Sequence, residues 1–232
     1  MDKAVDEVDN FQQKNAEKSI LGIFAKQPVP GGVKTRLCPP LNFGQAAALY
    51  AVALRETVHR MQSGSSYDLA ICYDGDPTWF KQTFPGCRLV PQRGADLGQR
   101  MANALAGFLE EDYRHAALIG SDAPDLPLKI VEQAFNRLTH SDLVLGPAVD
   151  GGYYLVAEKV HHPELFENIP WSTGDVFRTT LTRAENRGIS TACLDSWEDL
   201  DDLAALRRFQ KRSPQSKTAL YLSSELAGCL SN

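Results

Sequence analysis

The chain has 232 residues, 23% of them charged, and a net charge of −5. That length suits a globular domain with a sizeable core of its own, and the charge leaves no global basic field to recruit nucleic acid. Five cysteines, at 38, 72, 87, 193 and 229, are odd in number and form no CxxC pair, which argues against a disulfide framework or a structural zinc site and for a reducing cytoplasm.

No apolar run approaches the roughly 18 residues of a membrane span. Residues 1–18 are polar and acidic and read as a flexible tail rather than a signal peptide. From there to residue 212 apolar runs alternate with helical patterns. SILGIFAK (19–26) is a buried strand. The spacing of Ala47, Tyr50, Leu54, Val58 and Met61 predicts a helix from 47 to 61. Strands follow at 67–73 and 87–92, then a helix at 98–113 and a strand at 115–121. A helix at 127–140 has Pro127 in its first turn. Strands at 141–148 and 152–159, a helix at about 173–186, a short strand at 189–194 and a helix at about 197–212 complete the pattern. Residues 213–232 form a C-terminal extension, either one more helix or a fraying end. Strands separated by helices of this length predict βαβ units, a mostly parallel sheet and helices on both faces.

In such sheets ligands gather beyond the carboxyl ends of the strands. The loops expected there are KQPVPGGVKTR, YDGDP, PQRGADLG, GSDAPDLP and GPAVDGGYY; the first is basic and the other four carry carboxylates. In the basic loop, Gly31 and Gly32 let backbone N–H groups approach a phosphate, while Lys26, Lys34 and Arg36 supply cations. The P-loop spacing and the GxGxxG fingerprint are both missing, so a solvent-facing turn is an equal reading of the loop alone. Asp122, at the end of a buried strand, suits Mg²⁺ or Mn²⁺, which take one or two carboxylates plus substrate oxygens. Asp125, two residues before Pro127, fits a helix cap better. Asp150 precedes two glycines in a hairpin signal and shares the rim with Asp122. Asp96 reads as an N-cap or a ligand contact. Tyr153 and Tyr154 alternate in a strand, one ring for the core and one for the cleft. Trp171 serves either as a stacking wall or as a helix-start anchor.

The strings FAKQPVPGGVKTRL, ADLGQRM, LIGSDAPDLP, GPAVDGGYYLV, IPWST and CLDSWEDLDDL occur in this order across residues 19–208. Through them the sequence resembles bacterial proteins of the DUF2064 family, described as glycosyltransferases or nucleotide-diphospho-sugar transferases. The resemblance implies the GT-A fold, a Rossmann-like nucleotide-binding half continuing into an acceptor-binding half within one α/β/α unit. It implies metal-dependent glycosyl transfer from a nucleotide sugar to a small-molecule acceptor. Nucleotidyl transfer from a nucleoside triphosphate and nucleotide binding without catalysis are the alternatives. On that likeness Lys34 and Arg36 meet the phosphates, Asp122 holds the metal, Asp150 lies near the acceptor and Asp195 faces the cleft. Two departures from the family pattern stand out. Ala95 replaces the glycine before DLG, and Cys193 and Trp197 replace aspartate and proline in the late motif.

Overall fold

The computed structural model describes residues 18–230; the expected N-terminal tail, apart from Lys18, lies outside them. Seven strands form one sheet: β1 (Ser19–Lys26), β2 (Asp68–Asp74), β3 (Arg88–Pro91), β4 (His115–Gly120), β5 (Leu143–Pro147), β6 (Tyr153–Glu158) and β7 (Thr191–Cys193). Their spatial order is β3-β2-β1-β4-β6-β5-β7. All neighbours pair in parallel except β6, which runs antiparallel to both β4 and β5. The mostly parallel α/β architecture expected from the sequence is therefore the observed one.

Helices cover both faces. On one side α1 (Phe43–Met61), α2 (Pro77–Thr83) and α4 (Leu128–Leu138) pack on Leu21, Ile23, Ile71, Ala117 and Leu155. On the other, α3 (Leu97–Glu110) and α5 (Val176–Asn186) pack on Ile20, Ala70, Leu118 and Val156. Successive strand residues thus feed opposite cores, which is why the strands read as continuous apolar runs. The contact with α3 is close: a Cβ on Gly22 of β1 would lie 2.6 Å from Leu118 and 3.0 Å from Phe108.

Several element boundaries differ from the sequence expectation, each for a local reason. α1 begins at Phe43, four residues before the first expected position, because Asn42 and Gln45 form a reciprocal capping box. The segment read as a turn after β2 continues into α2, with Asp76 as its cap and Pro77 in its first turn. α5 starts at Val176 rather than Thr173, because Ser172 adopts φ 67° and the Thr173 hydroxyl bonds Pro170 O. Asp125 caps nothing: it accepts from the Arg212 guanidinium at 2.7 and 3.2 Å and from the Ser213 hydroxyl at 2.8 Å.

The C-terminal extension forms α7 (Lys217–Glu225) and α8 (Ala227–Leu230), after α6 (Leu203–Arg212). α6, α7 and α1 share a third core around Leu49, Phe209 and Leu222. Buried Glu56 of α1 accepts from Lys217 N–H and Thr218 N–H at 3.1 and 2.8 Å, and Ser216 caps Ala219 N–H. The first three free donors of α7 are thus all satisfied, one element holding the start of another. Replacing Glu56 by leucine strands those donors in the core and is expected to cost about 2–4 kcal/mol in urea unfolding. A loss below about 1 kcal/mol would show that water takes over the carboxylate's role.

Candidate functional site

The strand order reverses between β1 and β4. Connections run outward to β2 and β3 on one side and to β5, β6 and β7 on the other, leaving a crevice at the carboxyl ends of β1 and β4. A cleft of about 560 Å³ opens there, with a smaller lobe of about 250 Å³ beside it. Lys26, Lys34, Leu97, Asp122 and Asp201 line both. Because β6 is antiparallel, its first residues lie on the same rim, which brings Asp150, Gly152 and Tyr153 into the larger cavity.

The rim is held from below by α1. Tyr50 Oη accepts from Lys26 N–H at 3.0 Å and shares a 2.8 Å hydrogen bond with Ser121 Oγ, tying the ends of β1 and β4 together. Burial, aided by Asp122, raises the Tyr50 phenol well above the usual tyrosine range, so it stays neutral. Thr57 Oγ1 donates to Ser121 O at 3.3 Å and Arg60 Nε to Pro124 O at 2.7 Å. These side chains fix the loop after β4 that carries Asp122.

The basic loop and the acidic loops meet. Lys34, in the left-handed region at φ 50°, sends a side chain only 5% exposed between two carboxylates. Its Nζ lies 3.2 Å from Asp122 Oδ2 and 3.2 Å from Asp201 Oδ1. Arg36 reaches Asp201 Oδ2 at 2.6 Å and remains largely exposed. Burial pulls the Lys34 ammonium down, but Asp122, Asp201 and Asp199 outweigh it and hold its pKa above the usual lysine value. Burial pushes the Asp199 carboxyl up to about 6; Lys34 opposes the rise, and Asp122, Asp201 and Asp150 add to it. Asp122 Oδ1 is buried without a hydrogen-bond partner.

The sequence pattern places Asp199 and Asp201 in a helix. The chain instead stays extended after β7: Trp197 N–H donates to Pro147 O at 3.0 Å and Val149 N–H to Trp197 O at 3.2 Å, a short parallel continuation of β5. Leu200 N–H then donates to Asp122 O at 2.9 Å, setting Asp199 and Asp201 beside Asp122. The helix begins only at Leu203, with Asp202 as its cap. Arg212 braces this segment, bonding Glu198 Oε2 at 3.3 Å and lying 5.3 Å over the Trp197 ring. The signal that was available is the carboxylate density of WEDLDD, although acidic residues also suit a helix start. The departures at 193 and 197 lie outside the cleft lining. Tryptophan at 197 supplies an N–H that proline lacks.

The opposite wall is apolar. Leu97, Met101, Tyr153, Trp171 and Val176 line it. Trp171 packs edge-on to Tyr153, centroids 6.2 Å apart at 83°. A Cβ on Gly98 would lie 2.4 Å from Phe166 O and 2.7 Å from the indole, so only glycine admits Trp171 there. Tyr153 thus faces the cleft side and Tyr154 the other core, where its hydroxyl donates to Asp195 O at 2.9 Å. Gln92 lines the smaller lobe, its amide donating to Cys72 O at 2.8 Å and Ala25 O at 3.3 Å.

Of the residues singled out from the sequence, Lys26, Lys34, Arg36, Asp122, Asp150, Tyr153 and Trp171 converge on the cleft. Three do not. Gly31 is an exposed turn residue at φ 78°, and Gly32 lines the cavity in its place. Asp96 is the α3 N-cap, accepting from Gln99 N–H at 2.8 Å, and its neighbour Leu97 faces the cleft. Asp195 is exposed on the far side of the Trp197 bridge, and Asp199 and Asp201 carry the late carboxylates inward. Among the described residues, no group of three or more His, Cys, Asp or Glu side chains is arranged to hold a metal by itself, and no helix is long and apolar enough to cross a membrane.

Comparison with known proteins places this cleft in a family. The family model described as "Uncharacterized protein conserved in bacteria (DUF2064)" matches residues 57–173, a span that includes Asp122, Asp150 and Trp171. A solved structure from Desulfovibrio desulfuricans G20, described as a "putative nucleotide-diphospho-sugar transferase", is 33% identical, with TM-score 0.85 over 90% of this chain and 95% of that one. The fold is shared at greater distance with a CMP:2-keto-3-deoxy-manno-octonic acid synthetase complexed with CTP, 12% identical with TM-score 0.57 over 85% and 99% of the two chains. It is shared likewise with a nucleotidyl transfer enzyme from Methanothermobacter thermautotroptrophicus, 13% identical with TM-score 0.57 over 84% and 97%. No curated protein matches the chain. With the family model matching half of its length and a third of its residues identical along nearly all of the D. desulfuricans protein, the chain belongs to the DUF2064 family.

Proposed function

We propose that this chain is a metal-dependent transferase that takes a nucleotide-diphospho-sugar as donor and a small molecule as acceptor. The observation that carries the reading is the meeting of Lys34, Arg36 and Asp122 at one point of the switch-point cleft, opposite an aromatic wall. The D. desulfuricans relative adds to it by its description.

The donor set fits a hard divalent cation, Mg²⁺ or Mn²⁺. Asp122 Oδ1 is buried and unpartnered, every nearby acidic group is a carboxylate, and such ions complete their shell with substrate phosphate oxygens. Asp122 and Asp199 would hold it, and it would supply neutralisation of the charge that builds on the leaving diphosphate. Lys34 and Arg36 stabilise the same charge from the protein side. Trp171 and Tyr153 present ring surface to the C–H face of a sugar, while Asp150, whose Oδ1 is turned toward Gly152 N–H at 2.9 Å, keeps its other oxygen for orienting the acceptor hydroxyl and taking its proton.

Nucleotidyl transfer from a nucleoside triphosphate is the second reading. Three cations lining one cleft, Lys26, Lys34 and Arg36, match a triphosphate as well as a diphosphate, and the more distant fold neighbours include nucleotidyl transfer enzymes. Incubation with a panel of nucleotide sugars, then of nucleoside triphosphates, each with Mn²⁺ and candidate acceptors, separates the two. Free nucleoside diphosphate is the expected product; pyrophosphate would establish the second reading, and saturable binding of a donor with neither product would exclude both. We propose further that residues 19–212 carry the transferase domain and residues 213–232 extend it, in a cytoplasmic enzyme.

A further inference from the structure

Lys34 sits where a cation is wanted. Its ammonium lies at 3.2 Å from one oxygen each of Asp122 and Asp201, beside Asp199 in the same cavity. The backbone that puts it there is in the left-handed region, uncommon for a residue with a Cβ. The loop is anchored on either side of Lys34: Val33 is buried in the core beneath α1, and Leu37, three residues on, is fully buried against α6 and α7. The loop backbone is therefore held, and a change of partner falls to the lysine side chain alone.

From these contacts, we propose that Lys34 is a built-in competitor of the divalent cation, occupying the carboxylate niche of Asp122, Asp199 and Asp201 until a nucleotide diphosphate draws it away. The inference rests on the reading of the cleft as a cation-assisted diphosphate site. A magnesium or manganese ion approaches carboxylate oxygens to about 2.0–2.6 Å, and on Asp122 it meets a carboxylate whose other oxygen already holds the Lys34 ammonium, so two positive charges compete for one group. With no phosphate present, leaving the niche costs Lys34 its ion pairs with both Asp122 and Asp201. With a diphosphate bound, Lys34 exchanges carboxylates for phosphate oxygens and the niche opens to the cation. Cation and nucleotide then bind as a cooperative pair, because each removes the obstacle to the other. The device keeps the site closed to free divalent ions, and it offsets part of the charge of the clustered carboxylates before substrate arrives.

The decisive variant is Lys34→Met, which keeps the length of the side chain and removes its charge. Two affinities should move in opposite directions. Affinity for Mn²⁺ alone, followed by the loss of the free-ion electron paramagnetic resonance signal, is expected to rise by about tenfold or more, since the competing state is gone. Affinity for UDP, CDP, ADP or GDP in EDTA, whichever the wild-type protein binds best, is expected to fall by about tenfold or more. Unchanged Mn²⁺ affinity with weakened diphosphate binding overturns the competition while leaving the phosphate role intact. Absence of Mn²⁺ binding in both proteins, with or without the diphosphate, overturns the cation site itself and the competition with it. If Lys34→Met does not fold, the wild-type protein gives an independent readout. The protected Lys34 ammonium resonance in ¹⁵N NMR should survive millimolar Mg²⁺ alone and move when Mg²⁺ and the diphosphate are added together. A resonance that moves with Mg²⁺ alone, or that stays put with both, overturns the proposal.

Discussion

Asp122→Asn should reduce nucleoside diphosphate release by about 10²–10³-fold while leaving the fold intact. The substitution is isosteric, and the side chain is 34% exposed, so no cavity is created. What changes is charge at the position that links Lys34 to the segment carrying Asp199 and Asp201. Asp122 pairs with Lys34 at 3.2 Å, keeps an unpartnered buried oxygen, and lends its backbone carbonyl to Leu200, which places Asp199 and Asp201. The amide preserves the backbone contact and most of the shape but weakens a cation's hold. Metal-dependent donor affinity should therefore fall along with turnover. Circular dichroism and melting temperature should stay near wild type, because Lys34 retains Asp201. Turnover within about threefold of wild type would remove Asp122 from the machinery.

The largest structural effect is expected at Gly151. Its φ is 90°, and a Cβ there would lie 2.1 Å from Gly174 O and 2.6 Å from Gly174 Cα, all backbone. Gly151 O also accepts from Phe177 N–H at 2.9 Å, locking the β5–β6 turn onto the start of α5. Gly151→Ala therefore combines left-handed strain with a collision that only displacement of a whole loop relieves. A destabilisation of about 3 kcal/mol or more is expected in urea unfolding. Activity should fall further than stability does, because the displaced loops carry Asp150 on one side and Ser172 and Thr173 on the other. Gly188→Ala separates the two causes. Gly188 has φ 66° but nothing within 4 Å of its Cβ position, so strain alone acts, at about 1 kcal/mol. Equal losses at both positions would show that the docking against Gly174 contributes nothing.

The two halves of the cleft were unequally legible before the fold was known. Lys34, Asp122 and Asp150 announced themselves because each follows a strand whose apolar pattern is unambiguous, and in a parallel sheet strand ends share a rim. Tyr153 emerged from alternation in the same way. Trp171 was legible as a stacking wall or a helix-start anchor, but its packing against Tyr153 was not, since its seat depends on Gly98 of a different element. Asp199 and Asp201 were hidden for a different reason. Their segment has helix-compatible composition, and it stays extended because the end of β5 and the residues just after it offer backbone partners at Pro147 and Val149. Tyr50 read as one more apolar position on a helix, and its hydroxyl acquires a task only when β1 and β4 are brought side by side.

By itself, then, the amino-acid order determined the alternation of strands and helices, the two-faced core and the rim on which polar loops gather, because those depend on local periodicity and burial. The strand order and the pairing of Lys34 with carboxylates some ninety and some hundred and seventy positions away were decided by tertiary structure alone. No local pattern encodes which distant charge a buried ammonium will meet; that is set by which backbone edges find each other's hydrogen-bonding groups when the sheet closes.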